Sequence, residues 1–455
     1  MSLSNIFPVP TSPLEEYFLR DSRLGYPMTM PLLFFFRGKA NLGALEEAFA
    51  KTVLHEPLFC AFLQRHKHRR YWQIAPEVPR LVIETDALIE EHSGSEGIER
   101  IVSLDPLRTP GVHCRYVPMA DGFAIRLQIH HAICDGLGSI VFLGNWMAEY
   151  ARLVGDDSDL TANHPVPERI KLRTDLHIEL PHPLSRWTII RSFIKELRIW
   201  FTRPVYRFSP QEVTNIDHTI SDNIDSPVLL WGTISSADIV RIRQKAQSMG
   251  VSLNSYLTGL YFQHLCNCLG VKKKSDGRWI RLLVPTNLRK PIHSGIPASN
   301  MIGYSFLDRR ARECTDSEAF YRSIDSDIDF VKKWSMAAMF ITGVDMVQRI
   351  PFALSLVLSS RNCLATSVFS NIGNPIKVLP YPRFKDSGTI EVGGIKLDRI
   401  VGAPPIRPNT PFCCGLIQQN GEMTLSMIVD SARLGLENCR KFHRTFIDHI
   451  VKAAS

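Results

Sequence analysis

His130-His131-Ala132-Ile133-Cys134-Asp135-Gly136 brings a base, a carboxylate and a glycine turn together where a strand should end. The residues before it alternate, with Phe123, Ile125, Leu127 and Ile129 on one face and Ala124, Arg126 and Gln128 on the other. That is the pattern of a half-buried strand, entered through the turn Asp121-Gly122. Gly136 is expected to let the backbone bend sharply, and residues 137–151 resume with apolar side chains at helical spacing. The histidines are thus predicted at a strand–loop–helix junction, where catalytic groups are often held. A neutral imidazole can take a proton near neutral pH, so the run is a candidate general-base site. The structural alternative is a pair of histidines satisfied by backbone carbonyls beside an ordinary Asp-Gly turn.

The surrounding chain bounds what such a site can belong to. Its 455 residues exceed what one hydrophobic core usually organises, and 45% hydrophobic with 22% charged residues is ordinary for a globular protein. Two halves are expected, over 1–165 and 226–455, with a connector at 166–225, and the stretch 156–225 is broken by Pro165, Pro167, Pro181, Pro183, Pro204 and Pro210. Near the end, Asn420-Gly421 predicts a tight hairpin, and Cys439, Phe442, Phe446, Ile447 and Ile450 mark a last amphipathic helix. Residues 28–36 and 351–358 are strongly apolar but too short to cross a bilayer, and are expected as buried strands or helix cores. Ten cysteines fall at irregular spacings and read as reduced, mostly buried residues. Cys266-Asn267-Cys268 and Cys413-Cys414 lack metal-ligand spacing, and no metal is expected. With no visible secretion signal, a cytoplasmic setting is the default expectation.

The formal charge of +8 suits anionic partners. Zinc-finger, RNA-binding and helix-turn-helix signatures are lacking, so nucleic acid is not expected. Arg65-His66-Lys67-His68-Arg69-Arg70 reads as a solvated hairpin tip or loop, with phosphate or carrier docking as the sharper reading. Over 186–208, Trp187, Ile190, Phe193, Ile194, Leu197, Trp200 and Phe201 interleave with Arg186, Arg191, Lys195, Arg198, Arg203 and Arg207. This is the composition of a basic amphipathic helix suited to peripheral membrane contact or to packing on its own protein.

His-His-x-x-x-Asp-Gly resembles the signature of the chloramphenicol acetyltransferase-like superfamily, which includes nonribosomal peptide condensation domains, wax ester synthases, polyketide-associated acyltransferases and alcohol O-acetyltransferases. Further segments carry the likeness in the same order. Residues 41–58, ending Leu54-His55-Glu56-Pro57-Leu58, look like the family's first helix and the segment after it. Ser252-Leu253-Asn254 and Arg281-Leu282-Leu283-Val284-Pro285-Thr286-Asn287-Leu288-Arg289 are similar to a helix and strand of its second half. Met301-Ile302-Gly303 and Ser370-Asn371-Ile372-Gly373-Asn374-Pro375 resemble two later motifs. Tyr304-Ser305-Phe306 stands where condensation domains carry Val-Asn-Thr, and the Asp-Phe-Gly-Trp-Gly segment of plant acyltransferases is absent. A free-standing acyltransferase is therefore expected over an assembly-line module.

The resemblance implies an α/β fold (an α+β sandwich) of two similar subdomains in a V-shaped pseudo-dimer, with the histidine loop at their junction and a central tunnel. It implies that His131 is the general base, that His130 shapes the site, and that Asp135 pairs with an arginine of the second half, for which Arg289 is the choice. Backbone near Gly136 is a candidate oxyanion donor, while Ser370, Asn371 and Asn287 are candidates for the tunnel wall or for strand-end hydrogen bonding. The implied chemistry moves an acyl group from acyl-CoA or an acyl-carrier protein to the hydroxyl or amine of a small-molecule or lipid acceptor. No cofactor is held permanently, the phosphopantetheinyl thioester being a co-substrate, and a monomer is expected. Amide formation by a free-standing condensation enzyme, and a non-catalytic scaffold binding carrier proteins, are the alternatives.

Overall fold

The computed structural model describes residues 3–67, 69–84, 96–156, 160, 164–176, 202–208, 227–268, 277–359 and 362–453. Two mixed sheets dominate it, each covered by helices, so the architecture is α/β. The six-stranded sheet runs Glu391–Val392, Ile395–Gly402, Thr29–Arg37, Gly122–His130, Val112–Met119, Leu81–Ile83. The seven-stranded sheet runs Ile302–Arg310, Trp279–Asn287, Ser367–Gly373, Phe412–Gln419, Glu422–Val429, Val228–Ile234, Glu96–Arg100. A small three-stranded sheet joins Val9–Pro10 to a hairpin formed by Ala61–His66 and Arg69–Ile74. The basic run at 65–70 is therefore a hairpin tip, with Lys67 in the left-handed region (φ 55°).

The two sheets exchange strands. Ile395–Gly402, from late in the chain, pairs antiparallel with Thr29–Arg37, while Glu96–Arg100 adds to the edge of the seven-stranded sheet beside Val228–Ile234. Each half thus completes the other's sheet. Most of the expected connector, 177–201 and 209–226, lies outside the described residues, and so does most of the basic segment 186–208. Its described end packs on its own protein. Arg203 pairs with Asp308 at 3.0 Å and lies over the Trp279 ring, and Tyr206 and Phe208 are buried.

Local patterns explain the elements around the histidines. Strand Gly122–His130 is flanked by Thr29–Arg37 and Val112–Met119 in antiparallel register, and Gly122 has no room for a Cβ, which would stand 1.9 Å from the Phe36 carbonyl oxygen. The strand is not half-buried as its alternation suggests. Ala124 and Gln128 are buried as well as the apolar face, because Glu96–Arg100 and the residues after it lie over that face: Arg126 binds Glu99, and the Gln128 amide donates to the Arg100 carbonyl and accepts from Val102 N–H. The Asn420-Gly421 hairpin forms, with φ of 50° and 85°. Helix Leu436–Lys452 buries Cys439, Phe442, Phe446 and Ile450. Eight of the ten cysteines are buried, and all are free.

One expectation fails clearly. Residues 28–36 are buried, but 351–358 are not a core: Phe352 is 86% exposed and Leu356 73% exposed. Hydrophobicity predicted burial for both runs, yet only the first has sheet neighbours on both sides.

Candidate active site

The strand Gly122–His130 delivers His130 and His131 to the boundary between the halves. His130 N–H donates to the Gly111 carbonyl at 2.8 Å and His131 N–H to the Met28 carbonyl at 2.6 Å, so neighbouring segments clamp the loop on both sides. The chain then turns into helix Gly136–Val154, which Asp135 caps by accepting from Gly138 N–H at 2.8 Å. Gly136 is not the sharp bend. It is the first helical residue, its φ is not positive, and a Cβ there would meet only Ile372 and Met30 at ordinary contact distances. Gly138 carries the constraint, since its Cβ would lie 2.6 Å from Cys134 Sγ and 3.0 Å from the Arg289 guanidinium.

The second half closes on this loop through one short segment. Asp135 Oδ2 accepts from Arg289 Nη1 at 2.9 Å and from Met301 N–H at 2.7 Å, while Arg289 Nη2 donates to the Ser299 carbonyl at 2.8 Å. Arg289 is braced in turn by Asn287, whose Oδ1 accepts from its backbone N–H and from Nη1. One carboxylate therefore caps a helix of the first half and binds two groups of the second. Asn300, next in line, donates from Nδ2 to the His131 carbonyl at 2.5 Å and lies 3.1 Å from His131 Nδ1. Glu56, from the Leu54-His55-Glu56-Pro57-Leu58 segment, is fully buried and accepts from Ala298 N–H, and burial pushes its carboxyl up to about 8. Thr29 Oγ1, Glu56 Oε1, His130 Nε2, Ser299 Oγ and Asn300 Oδ1 have no hydrogen-bond partner among the described residues.

The His131 ring is 4% exposed and stacks on Phe18, centroids 4.2 Å apart and planes 14° from parallel. Phe18 belongs to helix Pro13–Asp21, which begins with a Ser12–Glu15 capping box. Buried ion pairs fix that helix near both ends: Glu15 with Arg173 at 2.7 Å, and Asp21 with Arg407 through two contacts of 2.9 Å. Tyr17 and Tyr304 pack edge-on against Phe18, and Phe340 packs behind them, with Tyr17–Phe340 and Tyr304–Phe340 centroids at 5.5 and 5.0 Å. Another molecule can meet this imidazole only along a passage shielded from bulk water, or after these rings move.

Burial holds the His131 pKa below the ordinary imidazole value, with Asp135 and the carbonyls of His131 and Cys134 acting the other way. The ring is therefore neutral at pH 7. One of its two nitrogens carries a proton and the other a lone pair, so the neutral ring can act as a base. His130 differs. Its Nδ1 accepts from Ala132 N–H at 3.2 Å, which leaves the proton on Nε2, and burial pulls its pKa down to about 3.

Of the residues singled out from sequence, His130, His131, Asp135, Gly136 and Arg289 converge at one place, with Asn287 behind Arg289. Ser370 and Asn371 are half-buried on the strand Ser367–Gly373, and Asn371 Oδ1 accepts from Gly373 N–H at 3.0 Å, a local strand-end turn. That strand approaches the loop through Ile372, beside Gly136. Sequence reasoning missed Phe18, Gly138 and Asn300. Only Gly138 left a signal, as the second glycine of Asp135-Gly136-Leu137-Gly138.

No family model and no curated protein matches this chain. Solved structures do. The first condensation domain of the calcium-dependent antibiotic synthetase matches with a TM-score of 0.69 at 14% identity, over 98% of this chain and 96% of that one. The condensation domain of the Monacolin K polyketide synthase MokA gives 0.64 at 11%, over 98% and 97%. Polyketide synthase associated protein 5 from Mycobacterium tuberculosis gives 0.60 at 12%, over 96% and 97%. The chain therefore has the chloramphenicol acetyltransferase-like fold of these structures along nearly its whole length.

Proposed function

We propose that this chain, built on the condensation-domain fold, is an acyltransferase that moves an acyl group from a thioester to a hydroxyl or amine. The observation that carries the reading is the placement of His131: a neutral buried imidazole, stacked on Phe18 and held by Asn300, at the place where Asp135 binds Arg289 of the second half. The His131 imidazole takes the acceptor's proton as the acceptor's oxygen or nitrogen attacks the thioester carbonyl. The tetrahedral intermediate then expels the thiolate, and the imidazolium returns the proton to the sulfur. The step needs no covalent enzyme intermediate. Asp135 and Arg289 act as positioning residues, fixing the loop and not touching the reacting atoms.

The donor is acyl-CoA or an acyl group on a phosphopantetheinyl carrier. The fold neighbours include a protein named as polyketide synthase-associated and domains of peptide synthetases, which supports a carrier-borne donor. Amide formation and a non-catalytic scaffold are the competing readings, and one experiment separates all three. Acyl thioesters of varied chain length are incubated with a panel of alcohols and amines while thiol release is followed. Acceptor-dependent release with alcohols supports ester formation, and release with amines alone supports amide formation. A folded protein that releases no thiol across the panel overturns the catalytic reading in favour of the scaffold.

A further inference from the structure

The basic run Arg65-His66-Lys67-His68-Arg69-Arg70 takes no part in the site described above, and its charges are not balanced within the fold. Ala61–His66 pairs with Arg69–Ile74 in a register that sets Arg65 opposite Arg70 and His66 opposite Arg69. Like charges directly across a strand pair repel. Arg65, His66, Lys67 and Arg69 are exposed, and Arg65 Nε donates to the Lys67 carbonyl at 3.2 Å, which holds its guanidinium at the turn. Among the described residues, the carboxylate paired with this tip is that of Glu16, 3.8 Å from Arg70 and shared with Arg20, while Arg65, Lys67 and Arg69 have no acidic partner. A hairpin with neutral side chains at these positions would be more stable, so the charges point to a partner outside the fold.

The hairpin is fastened to the helix that covers His131. Its second strand also pairs with Val9–Pro10, and Thr11, the next residue, donates its N–H to the Arg70 carbonyl at 3.3 Å and its hydroxyl to Glu16 at 2.8 Å. Below the tip, Trp72 Nε1 donates to buried Glu15 at 2.8 Å. Glu15 and Glu16 lie in the first turn of helix Pro13–Asp21, and Phe18 of the same helix stacks on the His131 ring. A partner seated on the tip therefore stands at the start of the helix that shields the imidazole.

Shape and composition select the partner. The cations project from a two-stranded turn instead of lining a pocket, so they suit carboxylates spread over a protein surface better than a single phosphate, which needs donors converging on it. Every side chain over 64–70 is polar or charged, which gives the tip nothing to insert into a bilayer. We propose that this hairpin tip docks an acidic acyl-carrier protein, whose phosphopantetheinyl arm then carries the thioester towards His131. The proposal rests on the acyl-transfer reading and narrows its donor to the carrier-borne one.

Fluorescence anisotropy tests the docking without any turnover. The probe is an acidic acyl-carrier protein of fatty-acid synthesis in its phosphopantetheinylated form, and the proteins are the full chain and its Arg65→Glu/Lys67→Glu/Arg69→Glu variant. The changes at 65 and 69 put carboxylates opposite Arg70 and His66, which favours the hairpin pairing and keeps the fold. The wild type is expected to bind, less tightly as salt rises, and the variant to bind roughly tenfold or more weakly. Equal binding by both proteins, or none by the wild type, would overturn the proposal, as would variant-sensitive binding to phosphatidylglycerol vesicles with none to the carrier. Turnover supplies a second arm, with octanoyl thioesters of the carrier, of coenzyme A and of pantetheine as donors. In the variant kcat/KM is expected to fall roughly tenfold or more for the carrier alone; an equal fall for coenzyme A would assign the tip to that donor's phosphates and overturn the proposal. No thiol release from any donor by either protein, with carrier binding intact, would overturn the acyl-transfer reading while leaving the docking surface standing.

Discussion

Asn300 bears most directly on the chemistry of His131, because its amide lies 3.1 Å from Nδ1 and binds the histidine's own carbonyl. Asn300→Asp would put a carboxylate there and favour the imidazolium. The acid limb of kcat/KM, which in the wild type should fall below the usual imidazole range, is expected to move to higher pH by about one unit or more. An unmoved limb would mean that His131 does not govern the rate. Glu56 makes a separate, purely energetic prediction. Its folded pKa of about 8 exceeds the ordinary 4.5, so burial costs nothing below pH 4.5 and destabilises the fold progressively as pH rises towards 8. Glu56→Gln cannot ionise, and denaturant titrations should find it more stable than wild type by about 1–3 kcal/mol at pH 7–8, with the gap closing at pH 4.5. A gap independent of pH would show that Glu56 is not the titrating group. Asp135→Ala removes a helix cap and leaves Arg289 without its carboxylate, and a loss of about 3–5 kcal/mol in the same titrations is expected.

Helices and strands carry these residues into place, and they differ in how far the sequence reveals them. The histidine strand, the Asn420-Gly421 hairpin and the last helix were legible because their signals are periodic and local. Burial of Ala124 and Gln128 was not, since it depends on Glu96–Arg100 and the residues after it, which belong to the edge of the other sheet. The Asp135–Arg289 pair, 154 positions apart, was reachable only through resemblance to a family, and Phe18 and Asn300 left no pattern at all. A phenylalanine in an amphipathic helix and an asparagine in a loop look alike whether or not they touch a catalytic ring. Hydrophobicity likewise cannot tell a core from an apolar surface, which is why 351–358 was misread. Gly303 shows how an element's placement can hang on one missing atom. A Cβ there would stand 2.1 Å from the Ala337 carbonyl oxygen, so Gly303→Ala must push the Met336–Gln348 helix off strand Ile302–Arg310. A stability loss of about 1–3 kcal/mol is expected by thermal denaturation, and an unchanged midpoint would mean that the helix is not held at that contact.

At the scale of the whole molecule, strand exchange between the two sheets makes the halves interdependent, and the site lies where they meet. Buried neutral histidines are spread through both. His130 in the first half and His264 in the second each have pKa values pulled down to about 3 by burial. Above the ordinary value of 6.5 they are neutral folded or unfolded. As pH falls below it, the unfolded chain takes up protons that the native state refuses, so stability should drop by about 1.4 kcal/mol per pH unit for each histidine, down to about pH 3. A single cooperative transition that weakens with this slope is expected; two separate transitions would show that the halves fold independently. The central claim, however, is that one neutral imidazole at the junction performs the proton transfer. The measurement that meets it most directly is kcat/KM for acceptor-dependent thiol release by wild type and His131→Ala, with matched circular dichroism. A loss of about 10²- to 10⁴-fold is predicted; a folded His131→Ala protein that keeps its rate within a few-fold of wild type would contradict the account.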